Sequence, residues 1–354
     1  MTDESGTSIS RRKFVAASGT GIAAMGLAGC TQNGDGKKSG GKKTQLTADG
    51  SSTVYPITSK AASFWNYNPP SDDGEYWPHD KYGISTDKRL ADYWAGQYGI
   101  KAGKGGSAPF RVSIGLSHSS VGGNKVMKGK VDIGDMSAPV QAELPDRDSY
   151  TNFKNHVVGI DGMQIIVSKA IKDAGVTQMT KQEVADIYKG NITNWSDVDG
   201  YNGPSKEIQC VGRVEGSGTR TIFHQNILGD PKAKAPGADS HKGENQQVKA
   251  TVQNSDNALG YVGIAFVDPN KAPAVDLKVG DTVYSPENEN LGSKDYPLNR
   301  DLHCYTWKET DKYESAFLAM ILSDMGQEEF VAANNYIKLT EERRKNQMSK
   351  LKQK

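Results

Sequence analysis

The sequence predicts an α/β fold, with mostly parallel central sheets flanked by helices. Three observations carry that expectation. Apolar, strand-like runs alternate with helix-like stretches, the signature of α/β layering. Three of the strand-to-helix junctions are loops rich in Ser, Thr and Gly, and ligands in such folds bind where strand C-termini meet helix N-termini. The chain has 354 residues, long enough for two lobes.

The first residues read as processing signal rather than fold. Ser10-Arg11-Arg12-Lys13-Phe14-Val15 resembles a twin-arginine export motif. Ala16 to Leu27 is a mildly apolar run, too short and weak for a permanent bilayer span. Leu27-Ala28-Gly29-Cys30 resembles a lipobox, so residues 1–29 are expected to be a signal peptide removed before a lipidated Cys30. The protein would then be tethered on the outer face of the cytoplasmic membrane. Residues 30–44 are rich in Gly and Lys with no large apolar residue, a flexible tether. Formal net charge is +1 with no long basic run, which gives no case for a nucleic-acid binder. Cys/His spacing shows no zinc pattern, the six histidines are scattered, and no cofactor or metal is expected. Cys210 and Cys304 are expected as buried thiols.

Gln45 to Ala48 reads as a strand, followed by the loop Asp49-Gly50-Ser51-Ser52-Thr53-Val54-Tyr55-Pro56 and a helix from Ile57 to Trp65. Residues 66–108, with Asn68-Pro69-Pro70 and Trp77-Pro78, read as a surface insertion around one helix, Thr86 to Gln97. Phe110 to Leu116 alternates as a strand, then Ser117-His118-Ser119-Ser120-Val121-Gly122-Gly123 forms a loop before a short helix, Asn124 to Lys130. Val131 to Met136 is a strand ending in the polar loop Ser137-Ala138-Pro139. His156 to Ser168 is β-branched and apolar, hence strand. Thr180 to Tyr188 is a helix whose Thr180 and Glu183 stand at capping-box spacing. Ile208 to Val211, Ala258 to Phe266 and Asp301 to Trp307 are strands; Glu314 to Asn334 holds helices, and a charged, exposed helix begins at Glu341. Trp195 and Tyr261 are expected in the core.

Arg213-Val214-Glu215-Gly216-Ser217-Gly218-Thr219 places a fixed cation, a carboxylate, two hydroxyls and two glycines just before a helix. Glycines let backbone N–H groups approach a ligand, the helix start is partially positive, and arginine fits a tetrahedral oxyanion. Two readings fit the stretch: an anion cradle, or a capped loop with an Arg213–Glu215 surface salt bridge. Three hydroxyl-rich loops and a lone arginine favour one buried anion with a single full counter-charge.

These pieces resemble the substrate-binding lipoprotein of the high-affinity phosphate ABC transporter, the Pst type. The matching stretches are Asp49 to Pro56, Val131 to Gly134 with Ala138-Pro139, Ile187 to Trp195, Arg213 to Thr219 and Ala258 to Gly263. The resemblance implies a periplasmic-binding-protein type II fold, with phosphate clamped in the cleft between hinged lobes. It implies lobe 1 over 45–157, carrying the 66–108 insertion, lobe 2 over 158–266, and a return to lobe 1 with C-terminal helices over 267–354. Carried over by position, Ser52, Thr53, Val54, Ser120, Ser137, Arg213, Ser217, Gly218 and Thr219 are implied phosphate ligands. Glu215, Ser119 and Asp135 are implied supports, with Glu215 orienting the arginine. The implied partners are inorganic phosphate, ABC permease subunits and the membrane through Cys30, for a monomeric protein that is not an enzyme.

One position departs from the pattern. Some relatives carry an aspartate before the Ala-Pro, where it accepts the proton of hydrogen phosphate; here that residue is Ser137, with Asp135 two residues earlier. A serine lacks the charge that repels sulfate, so sulfate and molybdate stay open as ligands. A tethered phosphate sensor fits the same residues. A serine hydrolase using Ser217 fits less well, because Glu215 stands where the Gly-x-Ser-x-Gly elbow needs its first glycine.

Overall fold

In the computed structural model the described residues are 43–351. The export motif, the lipobox with Cys30 and most of the expected tether lie outside them. No described helix is long and apolar enough to cross a membrane.

Among the described residues, twelve strands build two sheets, which define two lobes. The first lobe uses β1 (Gln45–Gly50), β2 (Arg111–Ile114), β3 (Ile133–Met136), β4 (Phe153–Gly162) and β12 (Asn299–Trp307), in the order β2-β1-β3-β12-β4. The second uses β5 (Gln164–Val167), β6 (Gln178–Thr180), β7 (Gln209–Arg213), β8 (Ser240–Lys242), β9 (Ala258–Val262), β10 (Ala274–Val279) and β11 (Thr282–Tyr284). Its order is β11-β10-β5-β9-β7-β8, with β6 beside β10. Parallel pairing joins β1 to β2 and β3, β7 to β8 and β9, and β6 to β10. The strands that carry the chain between lobes pair antiparallel, β4 with β12 and β5 with β9 and β10, so both sheets are mixed.

The run from His156 to Ser168 is two strands in different sheets, because the chain passes from one lobe to the other at Met163. β10 and β11 stay in the second sheet, and the chain re-enters the first at β12. These crossings fall later than residues 157 and 266, the expected segment ends.

The 66–108 insertion is not a surface decoration. Trp77, Leu90, Ala91, Trp94 and Ala95 are buried in the same core as Ile57, Ala61 and Trp65 of the helix Tyr55–Tyr67. The indole of Trp77 donates to Lys88 O at 2.9 Å, which ties the segment to itself as it packs on the lobe. The helix expected at 124–130 begins earlier, spanning Ser119–Met127. A Cβ on Gly122 would lie 2.6 Å from Asp49 O and 2.9 Å from Asp135 O. Glycine there lets the helix rest directly on β1 and β3.

Parallel pairing then gathers the loops. An isolated bridge joins Ser51 to Ser117, and Gly50 pairs with Asp135, so the ends of β2, β1 and β3 deliver their hydroxyl loops side by side. In the second lobe Arg213 closes β7 opposite Lys242 of β8, and the helix Asn245–Gln253 follows.

Candidate anion-binding site

Both sets of strand ends face each other across a closed cleft. Thr53 Oγ1 of the first lobe lies 3.2 Å from Thr219 Oγ1 of the second. Ser120 N–H donates to Gly216 O at 3.2 Å. Gly216 has φ of +81°, and a Cβ there would sit 2.4 Å from Ser120 Oγ. Gly218 is equally confined: a Cβ would lie 2.7 Å from both Ser119 Oγ and Ser137 Oγ. Glycine at these positions permits the lobes to close.

The hydroxyls that line the junction are buried: Ser52, Thr53, Ser119, Ser137, Ser217 and Thr219 are each 3% exposed or less. Ser217 stands at the N-cap of the helix Gly218–Phe223 yet makes no side-chain capping bond. Ser119 Oγ accepts from Ser137 N–H at 3.1 Å and lies 3.4 Å from Ser137 Oγ. Ser119 is thus the fully buried member of the second loop, whereas Ser120 is half-buried. Val54 N–H turns back to Ser51 O at 3.1 Å and Thr53 N–H to Ser51 Oγ at 3.1 Å, so both amides serve the turn.

Arg213 is 2% exposed, and its guanidinium is held by neutral acceptors. Nη1 donates to Asn245 Oδ1 at 2.9 Å, Nη2 to Gly243 O at 2.6 Å and Nε to Lys242 O at 3.1 Å. Its backbone N–H donates to the hydroxyl of Tyr261, itself stacked on Phe223 at 3.9 Å. Glu215 is exposed and is not among these acceptors, so Asn245 and two carbonyls take the orienting part implied for it. Burial lowers the Arg213 pKa to about 10, which leaves it charged at neutral pH.

A second arginine, missed by the sequence reading, enters from β12. Arg300 Nε and Nη2 both donate to Asp161 Oδ2, at 2.9 and 2.7 Å, across directly paired residues of β12 and β4. Nη2 also donates to Thr53 Oγ1 at 3.1 Å and Thr219 Oγ1 at 3.2 Å. Its Nη1 is buried without a protein partner. A buried, unpartnered guanidinium N–H beside hydroxyls is a donor waiting for an acceptor.

Asp135 does not face the cleft hydroxyls. It is fully buried, accepting from Thr58 Oγ1 at 2.8 Å and from Cys304 Sγ at 3.4 Å, and desolvation raises its pKa to about 7. It fastens the helix Tyr55–Tyr67 to β3 and β12. Glu143, also buried, has its pKa raised to about 7, first by desolvation, with Thr221 and Arg300 opposing. Trp195 is core, with its indole donating to Asn257 O at 2.8 Å. Cys210 and Cys304 are buried thiols in different lobes. Among the described residues no cluster of three His, Cys, Asp or Glu side chains is placed to hold a metal ion.

Comparison with known proteins agrees with this architecture. A family model described as a PBP superfamily domain matches residues 97–325. The phosphate-binding protein PstS of Staphylococcus epidermidis is 25% identical over 318 residues, covering 87% of this chain and 84% of that one. PstS of Staphylococcus aureus is 23% identical over 348 residues, covering 96% and 92%. Among solved structures, a candidate phosphate ABC transporter substrate-binding protein with bound phosphate from Clostridium perfringens superposes with a TM-score of 0.60 at 24% identity, over 84% of this chain and 100% of that chain. An ABC-type phosphate transport receptor from Vibrio cholerae gives 0.55 at 22% identity, over 83% and 100%. These structures share the fold, and the family match spans more than half of the chain. The protein belongs to the PBP superfamily.

Proposed function

We propose that this protein binds inorganic phosphate between its two lobes, outside the cytoplasmic membrane, and delivers it to an ABC permease. The observation that carries the reading is the set of donors meeting at the lobe junction. Arg213 keeps a positive charge with only neutral partners, Arg300 Nη1 has no protein acceptor, and Ser217 makes no capping bond. A tetrahedral oxyanion supplies the charge and the acceptors such a set lacks. The names of the staphylococcal relatives support phosphate as that oxyanion.

The ligands we assign are Ser52, Thr53, Ser119, Ser137, Arg213, Ser217, Gly218 and Thr219, with Arg300 added. Closure of the lobes about the crossings at Met163 and before β12 buries the anion, and the closed form is what the permease recognises. Export by the twin-arginine route and a lipid on Cys30 would hold the protein on the outer membrane face. The protein acts as a binder, without a catalytic step.

Calorimetric titration of a soluble form beginning at Thr44, after stripping co-purified anion by partial unfolding, tests the reading. Phosphate binding at micromolar Kd or tighter, with weak sulfate binding, is expected. Equal binding of both would make the protein a general oxyanion binder, a reading that Ser137 favours because it brings no repelling charge. Binding of neither would overturn the assignment.

A further inference from the structure

Asn245 is fully buried where the lobes meet, and the two ends of its side chain serve different lobes. Its Oδ1 accepts from Arg213 Nη1 at 2.9 Å and from Gly263 N–H at 3.4 Å, both in the second lobe. Each of these partners can only donate, so the amide orientation is fixed by its surroundings. Nδ2 must then face the first lobe, where it donates to Ser52 Oγ at 3.1 Å and Thr53 Oγ1 at 3.0 Å.

A hydroxyl carries one hydrogen and two lone pairs. Ser52 and Thr53 use a lone pair to accept from Asn245, and Thr53 uses another to accept from Arg300 Nη2 at 3.1 Å. Thr53 keeps only its O–H, for which Thr219 Oγ1 at 3.2 Å is the protein acceptor, and Ser52 keeps one lone pair and its hydroxyl hydrogen. An anion in the cleft is the acceptor that this hydrogen fits. Without the amide, the same hydroxyls are free to present a lone pair to the cleft instead, which repels an anion.

We infer that Asn245 is a positioning residue of the phosphate site. On closure its amide docks on Ser52 and Thr53, sets both hydroxyls as donors, and ties them to the charge of Arg213. The inference rests on the phosphate reading above. It makes Asn245 a sensor of closure as well: its bond to Arg213 lies within the second lobe, while its bonds to Ser52 and Thr53 exist only with the lobes together.

The test is a double-mutant cycle on phosphate Kd, measured by calorimetry on the soluble form, with thermal melts to confirm folding. Asn245→Ala and Ser52→Ala should each weaken binding, and the double variant should be hardly weaker than the worse single one. Asn245→Ala combined with Ser137→Ala should be additive, because Ser137 is bonded to Ser119 and not to Asn245. Agreement with additivity to within roughly 3-fold for the Ser52 pair overturns the inference. Asn245→Asp keeps the side-chain shape but offers only acceptors, so it should weaken phosphate binding by about 100-fold or more with the melting temperature nearly kept. Unchanged affinity in that variant, in a protein whose wild type binds phosphate, overturns this inference alone. A wild type that binds no phosphate overturns the phosphate reading and this inference with it.

Discussion

Arg213 and Arg300 reach the same cleft but are held by opposite kinds of partner, and this sets what each contributes. Arg213 is bonded to an amide oxygen and two carbonyls, so its charge is unspent until an anion arrives. Arg300 is already paired with the fully buried Asp161 at 2.7 Å. Arg213→Ala should therefore act on binding: phosphate affinity falls by about 3–5 kcal/mol, while stability changes little. Arg300→Ala should act first on the fold, because it strands a buried carboxylate, and a thermal melt should show a much larger fall than for Arg213→Ala. Similar melting temperatures for the two variants would refute this division. Ser137→Asp tests the selectivity argument: its phosphate-to-sulfate affinity ratio should rise, and an unchanged ratio would place residue 137 away from the anion. Arg213 was legible in the sequence because glycines and hydroxyls crowd the same seven residues. Arg300 was not, since its partner Asp161 is 139 positions away and its neighbours Asn299 and Asp301 carry no loop signal. Asn245 was hidden for the same reason: its meaning lies in partners from three distant segments.

Local signals read true at element scale where they are self-contained. Thr180 and Glu183 form the expected reciprocal cap, with Glu183 N–H donating to Thr180 Oγ1 at 3.1 Å and Thr180 N–H to Glu183 Oε2 at 2.7 Å. The signal was legible because both partners lie within one turn. The helix Ser119–Met127 was misplaced because Gly122-Gly123 reads as loop by propensity, whereas its packing on β1 and β3 needs those glycines. The insertion failed likewise: prolines marked it as loop, and only the folded lobe shows Trp77 and Trp94 in the core. These two helices make contrasting predictions. Thr180→Ala should cost about 1 kcal/mol of stability and leave phosphate affinity unchanged. Gly122→Ala forces a methyl against backbone oxygens and should cost about 1–3 kcal/mol. Because it also lifts Ser119 and Ser120, it should weaken phosphate binding as well. Melts and titrations of both variants check this, and a Gly122→Ala protein with full affinity would show that the helix does not position the second loop.

For the whole molecule, buried titratable groups set how stability follows pH. Desolvation raises Asp135 to about 7, Glu143 to about 7 and Glu314 to about 8, from ordinary values of 3.8 and 4.5. Above pH 4.5 the folded state holds protons on these groups that the unfolded chain has released, so their effect is to lower stability as pH rises, until about pH 8. His156, His224 and His303 act the other way. Burial lowers each to about 4 from 6.5, so between those values the unfolded chain binds more protons and stability rises with pH. The two sets oppose each other up to pH 6.5, where the histidine effect is complete and the acids continue alone. The melting temperature in phosphate-free buffer should accordingly stay nearly level from pH 4.5 to 6.5 and then fall toward pH 8. Asp135→Asn removes one of the three acids and keeps a similar shape between Thr58 and Cys304, so its fall above pH 6.5 should be shallower than the wild type's. A melting temperature that climbs from pH 6.5 to 8 in the wild type would mean that these buried carboxyls are ionised in the folded lobe.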